Sequence, residues 1–438
     1  MDDAADTTAH WREAARERYL SETVRTWLGL PAHAGIETPR LPDELARRLL
    51  REEELEHTHR DARGRWEFGF CESFGAGTLL VPEVDQWVAE RRRKLPEGTP
   101  VEPLWPEGKR FALCLTHDVD YVSAQYTLAQ ATRLVRAGLG PTSGASHDRI
   151  RRAARIPWRA FQAAVAGISL APSAADLERC IKIEADAGVR SSYLFTVFPR
   201  RGATPQDCAY RPSDPCSFRG SRRRLADVLR LLAGEGFDVG LHGSYRSAVA
   251  SGMLAAQRAE LERAISRPVT TTRQHYLHWD VRVTPRLQER AGLHTDSTLG
   301  FNRSLGFRCG TSLPFHHFDV ETSQPLRLIQ VPLVIHDVAL FRPDTLELDA
   351  GLAERLVCEV IDAVAAVGCV ATLSFHPNYI GQPAFQSVYR TAIEHGLGRG
   401  GWATSLREID EWWRERETRL AVDLPGASES VSGAAVRA

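Results

Sequence analysis

FALCLTHDVDYV, residues 111–122, decides how this chain is read. A short apolar run ends abruptly in His117, Asp118 and Asp120. Such a run, bounded by polar groups, suits a buried strand. The acids and the imidazole then either cap a turn or stand at the mouth of a site. Similar runs recur at 191–198 (SSYLFTVF), 237–242 (FDVGLH), 269–273 (VTTTR), 293–298 (LHTDST), 327–335 (RLIQVPLVI) and 369–375 (CVATLSF). Helical segments such as AADLERCIKIEADAG and AGLAERLVCEVIDAVAAVG lie between most of them, and several end in Gly, which stops a helix.

Alternating strands and helices imply a parallel sheet with covered faces. About seven units favour an α/β fold of the distorted (β/α) barrel type over an open sheet. The expected organisation is a barrel over residues 109–420 and an N-terminal α+β appendage over 1–108. GRWEFGFCESFGAGTLLVPE in the appendage alternates like short strands, and residues 421–438 read as a disordered tail.

In such barrels, functional side chains gather where strands reach their C-terminal edge. His117, Asp118, Asp120, His242, Arg273, His275, Asp296 and His376 all stand at such ends. One of them alone reads as a turn cap. Five or more, in one phase on successive strands, predict a shared mouth.

Composition narrows the function. Hydrophobic residues are 43% and charged residues 25%, with a formal net charge of -1, so no global field favours nucleic acid or membrane. The eight cysteines form no C-x-x-C pair; Cys208 and Cys216 flank a Pro-rich loop and could pair. The start lacks a basic-then-apolar leader, and no run is long enough to span a bilayer, so the expectation is a cytoplasmic protein. Residues 121–170 hold seven arginines and one acid, Asp148, in two helical stretches with a Gly/Ser/Pro loop between. This basic helical insertion, 121–172, is either a solvated face or a lid. A lid would meet an anionic group, such as a phosphate on an activated sugar, or touch a membrane surface through Trp158 and Phe161. The later stretch PRRGATPQDCAYRPSDPCSFRGSRRRL reads as a polar loop with too many prolines for regular structure.

At residues 109–420 the motifs resemble those of the polysaccharide deacetylase superfamily (NodB-homology, carbohydrate esterase family 4), in its bacterial "LTHDVD" form with an N-terminal extension. The resemblance implies a metal-dependent hydrolase that removes N-acetyl groups from an amino sugar or glycan, with one divalent metal, often zinc. By that likeness THDVD supplies Asp118 as catalytic base and Asp120 as metal ligand. LHGSYRS supplies the metal ligand His242. TRQHY supplies Arg273 to position the base, and Tyr276 near substrate. HTDSTLGF supplies Asp296 to support the general acid, and LSFHP supplies His376 as that acid.

The residue types suit the chemistry. Amide hydrolysis needs an activated water, a carboxylate to take its proton and an acid to protonate the amine. One departure stands out. Where the second motif usually has a further His, this chain has Arg246, and a permanent cation cannot ligate a metal. His275 is the first substitute and His117 the second. His336 and Asp337, in VPLVIHDVAL, end another strand and suit either substrate contact or capping. The alternatives are an inactive carbohydrate-binding barrel with Arg246 in place of metal, or a hydrolase of another amide bond. No G-x-S-x-G elbow or dinucleotide fingerprint is present.

Overall fold

The computed structural model describes residues 2–61, 63–139 and 165–421. Strand β1 (Phe111–Val119) is buried along its whole length, which explains its nearly continuous apolar sequence. It pairs in parallel with β2 (Ser192–Phe195) and β11 (Val370–Ser374), and at its start with β12 (Gly401–Thr404). The parallel path continues from β2 through β5 (Asp238–Gly243), β6 (Thr271–Gln274) and β7 (Thr295–Asp296) to β9 (Gln324–Gln330). Strand β8 (Phe315–Asp319) adds to β9 in antiparallel fashion, and the short β10 (Ile335–His336) flanks β11.

The ring is completed by the chain between β9 and β10. Val331 N donates to Asp296 O (2.8 Å) and Leu333 N to Leu299 O (2.9 Å), while Val334 N donates to Thr372 O (3.1 Å). One segment therefore bonds to the β7 side and the β11 side in turn. Strands β1, β2, β5, β6, β7, β9 running into β10, and β11 make the expected distorted barrel. Helices Ala175–Asp186, Leu225–Gly234, Met253–Ile265, Ala350–Val367 and Pro383–Gly398 lie between the strands in sequence.

Three expectations need correction. The stretch read as short strands in the N-terminal part is helical instead. It holds a 3-10 turn at Phe68–Phe70 and a helix at Glu72–Gly75, with a single bridge between Arg60 and Trp66. Its aromatic residues do not line a sheet face; Phe68, for example, packs edge-on against Phe301 of the barrel at 5.2 Å. The Pro-rich stretch after β2 does contain regular structure, a hairpin of β3 (Pro215–Phe218) and β4 (Ser221–Arg224). Cys208 and Cys216 are free thiols. In the basic insertion, the first expected helix is present as Leu128–Leu139. Residues 140–164, with Trp158 and Phe161, and the tail 422–438 lie outside the described residues. Among the described residues no helix is long and apolar enough to cross a membrane.

The N-terminal part packs on the barrel through a common core that includes Tyr19, Trp27, Leu49, Val84 and Trp105, and through a smaller cluster of Trp66 and Cys71 with Phe301. Trp27 is fully buried, and its Nε1 donates to Pro314 O at 2.8 Å. Tyr19 donates to His316 O (2.7 Å) and Trp105 to Gly368 O (2.6 Å). Trp27→Ala should lower unfolding stability by about 3–5 kcal/mol, as expected for a buried aromatic truncated to Ala, with urea titration as the measurement.

Candidate metal and hydrolytic site

Alternation along β1 sorts its polar end. Side chains two residues apart share a face. Thr116 and Asp118 point into the barrel, where both accept from Arg273 Nη1 at 2.8 Å. His117 points outward, against the covering helices. Its Nδ1 donates to Phe375 O (2.6 Å), and its Nε2 pairs with Glu184 Oε1 (2.7 Å), which Tyr389 also bonds at 2.6 Å. His117 is therefore a satisfied core residue and no metal ligand.

Arg273 comes from β6 and is wholly buried. Its Nε donates to Ser297 O (2.7 Å) and its Nη2 to Ser297 Oγ (2.8 Å), which holds the guanidinium flat against Asp118. Burial would raise the Asp118 pKa, but Arg273, with His242, His376 and His336 behind it, holds it well below the usual carboxylate range.

Asp120, His242 and His275 converge on one point. His242 Nε2 lies 3.0 Å from His275 Nδ1 and 3.4 Å from Asp120 Oδ1, and His275 Nδ1 lies 3.3 Å from the same oxygen. A tetrahedral ion with bonds of about 2.0–2.1 Å requires donor separations near 3.3–3.4 Å, so the triangle has the size of one face of such a site. The rings are oriented for it. His242 Nδ1 faces Arg273 O (3.0 Å) and His275 Nε2 faces Gln206 O (2.9 Å). A carbonyl only accepts, so those nitrogens carry the protons, and in the neutral rings both lone pairs point at Asp120. Three acceptors facing one another require a positive charge between them. Consistent with this, burial pulls the His275 pKa down, yet Cys208 and Asp120 outweigh it and raise it well above the ordinary value. The residues present fit a divalent cation.

His275 occupies an unusual turn. Tyr276 and Leu277 both have left-handed backbone, with φ of 62° and 52°. Such angles are costly for non-glycine residues and persist only where the surroundings hold them. Asn302 Nδ2 donates to Tyr276 O at 3.0 Å and supplies one such restraint.

Asp118, His336 and His376 form the neighbouring group. His376 Nδ1 donates to Asp337 Oδ1 (2.8 Å), and its backbone N donates to Asp337 Oδ2 (2.7 Å), so its Nε2 is turned toward Asp120 Oδ2, 3.7 Å away. Burial opposes the charged ring, but Asp337, then Asp120 and Asp118, push its pKa up to about 9. His336 donates from Nδ1 to Phe301 O (3.1 Å). Its Nε2 is buried and has no partner among the described residues. Burial, with the nearby His376, lowers its pKa to about 4, so the ring is neutral and Nε2 is an acceptor.

Two sequence assignments change here. Asp296 makes no contact with His376. Its carboxylate accepts from Gln288 Nε2 (2.6 Å) and Thr298 N (2.8 Å), and burial pushes its pKa up to about 6. It braces the turn that presents Ser297 to Arg273. The carboxylate beside His376 is Asp337, expected above as a substrate contact or cap. Arg246 is exposed, with its guanidinium beside Gly202, and does not replace a metal in the site. Sequence reading missed Ser297, Glu184 and the loop residues Gln206 and Cys208. Cys208 Sγ sits 3.7 Å from Asp120 Oδ1. The HD pair after VPLVI is legible as a strand end and reads there as substrate contact or cap.

No protein-family model and no curated protein matches the sequence. Among solved structures, the chain is similar to a Mycobacterium smegmatis protein named as a candidate polysaccharide deacetylase, with 18% identity over 74% of this chain and 96% of that one and a TM-score of 0.45. It is similar to PuuE allantoinase at 18% identity, over 73% and 95% of the two chains, with a TM-score of 0.43. A candidate polysaccharide deacetylase from Pseudomonas aeruginosa PAO1 is 15% identical over 73% and 95%, with a TM-score of 0.42.

Metal analysis tests the triad. The purified chain should take up one divalent ion, and affinity should fall as pH drops, because protons compete for the same lone pairs. His242→Ala and His275→Ala should each weaken uptake by about 100-fold or more, beyond the roughly 10–100-fold typical of residues behind the ligands. Arg246→Ala should leave it unchanged.

Proposed function

We propose that the protein is a metal-dependent amidohydrolase that removes the acetyl group from an N-acetylated amino sugar or glycan. The observation that carries this reading is the pairing of two arrangements at one rim. One is a triangle of three donors sized for a divalent ion. The other is a base and an acid of opposite protonation state beside it.

Asp120, His242 and His275 would hold the ion, with zinc the best fit to one carboxylate and two imidazoles. When bound, such an ion supplies Lewis acidity that polarises the scissile carbonyl and acidifies water. Asp118, kept ionised by Arg273, accepts the proton of the attacking water. His376, protonated and oriented by Asp337, gives a proton to the departing nitrogen as the C–N bond breaks. An amine is a poor leaving group, so this step needs a positioned acid. His336 offers its free Nε2 to a hydrogen-bond donor on the substrate, and Tyr276 stands at the edge of the same space.

Incubation with N-acetyl sugars and detection of released acetate tests the reading; hydrolysis of an amide without acetate would point to another C–N bond. Asp118→Asn should reduce turnover by about 100- to 10,000-fold while binding persists. Asp337→Asn should bring the alkaline limb of kcat/KM to lower pH. The sign follows from the linkage: the carboxylate raises the His376 pKa, so its loss lets the acid form disappear earlier as pH rises.

A further inference from the structure

A cleft of about 310 Å³ lies beside the hydrolytic rim, at the lower end of the range of small-ligand sites. Its lining comes from both the N-terminal part and the barrel. Three links connect it to the chemistry. Tyr276, in the cleft wall, follows His275, and the two rings lie 4.3 Å apart. Phe301, also in the wall, uses its carbonyl to hold His336. Val338 in the wall follows Asp337.

Five arginines face this cleft: Arg63, Arg65, Arg303, Arg308 and Arg342. Three are neutralised by carboxylates. Arg65 pairs with Asp61 at 2.6 Å, Arg308 with Glu54 at 2.7 Å and Arg342 with Asp344 at 3.3 Å. Arg63 and Arg303 have no carboxylate within 4.0 Å among the described residues. Arg63 rests over the Tyr276 ring at 5.2 Å, and Arg303 reaches only the Asp344 carbonyl, at 3.4 Å. Against these two cations stands one lining acid without an ion pair, Glu67. A solvated basic surface would not need aromatic walls, yet Phe68, Tyr276 and Phe301 supply them. Aromatic faces suit sugar rings, and guanidinium forks suit phosphate or carboxylate oxygens.

From this we infer that the cleft is the substrate-binding groove and that it selects an acylated sugar bearing an anionic group, phosphate above all, with Arg63 and Arg303 as the anion contacts. This rests on the proposed deacetylase reading and names its substrate class. It also gives residues 61–68 of the N-terminal part a task, that of forming the outer wall of the groove.

Calorimetry on the full chain, treated with chelator so that nothing is turned over, tests the inference with three probes. These are N-acetylglucosamine 1-phosphate, UDP-N-acetylglucosamine and uncharged N,N′-diacetylchitobiose. Both anionic probes should bind about 10-fold or more tightly than the uncharged one, since a hydrogen bond to a charged group is worth at least that factor. The advantage should shrink at high salt. The double variant Arg63→Gln, Arg303→Gln alters two exposed side chains, and circular dichroism confirms its fold. It should lose the anion preference and keep its affinity for the uncharged sugar. Equal binding of the two anionic probes would assign the contact to phosphate, and tighter binding of the nucleotide sugar to the longer diphosphate; either supports the proposal. Uncharged sugar bound as tightly, no binding of any probe, or a preference that survives in the double variant would overturn it. Acetate release by the metal-loaded enzyme separates the two readings. Release from sugars without charge preference sinks only this one, and tight anion binding without acetate sinks only the other.

Discussion

Arg273 is the constraint on which the rim depends. A guanidinium with no solvent exposure needs acceptors for its donors, and it finds four, on β1 and in the turn after β7. One cation thus ties three strands together at their C-terminal ends. The carboxylate it faces, Asp118, cannot be protonated cheaply or turned away, because breaking such a buried pair costs about 3–5 kcal/mol. The same residue lends its backbone carbonyl to His242 and so fixes which nitrogen of that ring is free. Ion pairing, tautomer choice and strand spacing are in this way set by one residue.

Around that anchor the barrel keeps two protonation states apart within a few ångströms. Asp118 faces a permanent cation and stays charged; His376 faces a carboxylate and stays protonated; His336, buried beside His376, stays neutral. Each condition comes from a different strand end, so the site exists only when the ring is complete. The segment Val331–Val334, which bonds to β7 on one side and β11 on the other, holds the two halves in place. The N-terminal part adds rigidity. The buried Arg51 and Arg308 share Glu54, which ties the helical region to the barrel loop carrying Phe301 and Arg303.

Much of this was legible in the sequence, for physical reasons. Strands buried on both faces read as apolar runs, and each of the seven runs became part of the ring. Polar residues directly after those runs read as either turn caps or rim groups, and their recurrence on successive strands made Asp120, His242, His275 and Arg273 candidates as a set. Three things were not legible. Pairing across the rim is a matter of distance, so the sequence could not show that Asp337, not Asp296, meets His376. Carbonyl partners such as Phe301 and Gln206 leave no mark in residue type. In the N-terminal part, aromatic residues separated by glycines mimic a strand, whereas Phe68 packs on Phe301 of the barrel and Phe70 stacks on His57 and His59 of its own region.

The opposite facing of His117 and Asp118 has a consequence for how the strand can change. Both are buried and both are fully engaged, one with Glu184 and Tyr389, the other with Arg273. Loss of a single residue upstream in β1 would exchange their faces, setting an imidazole toward the guanidinium and a carboxylate against Glu184. The deletion would bury one carboxylate against another and take from Arg273 its carboxylate partner. The length of this strand is locked.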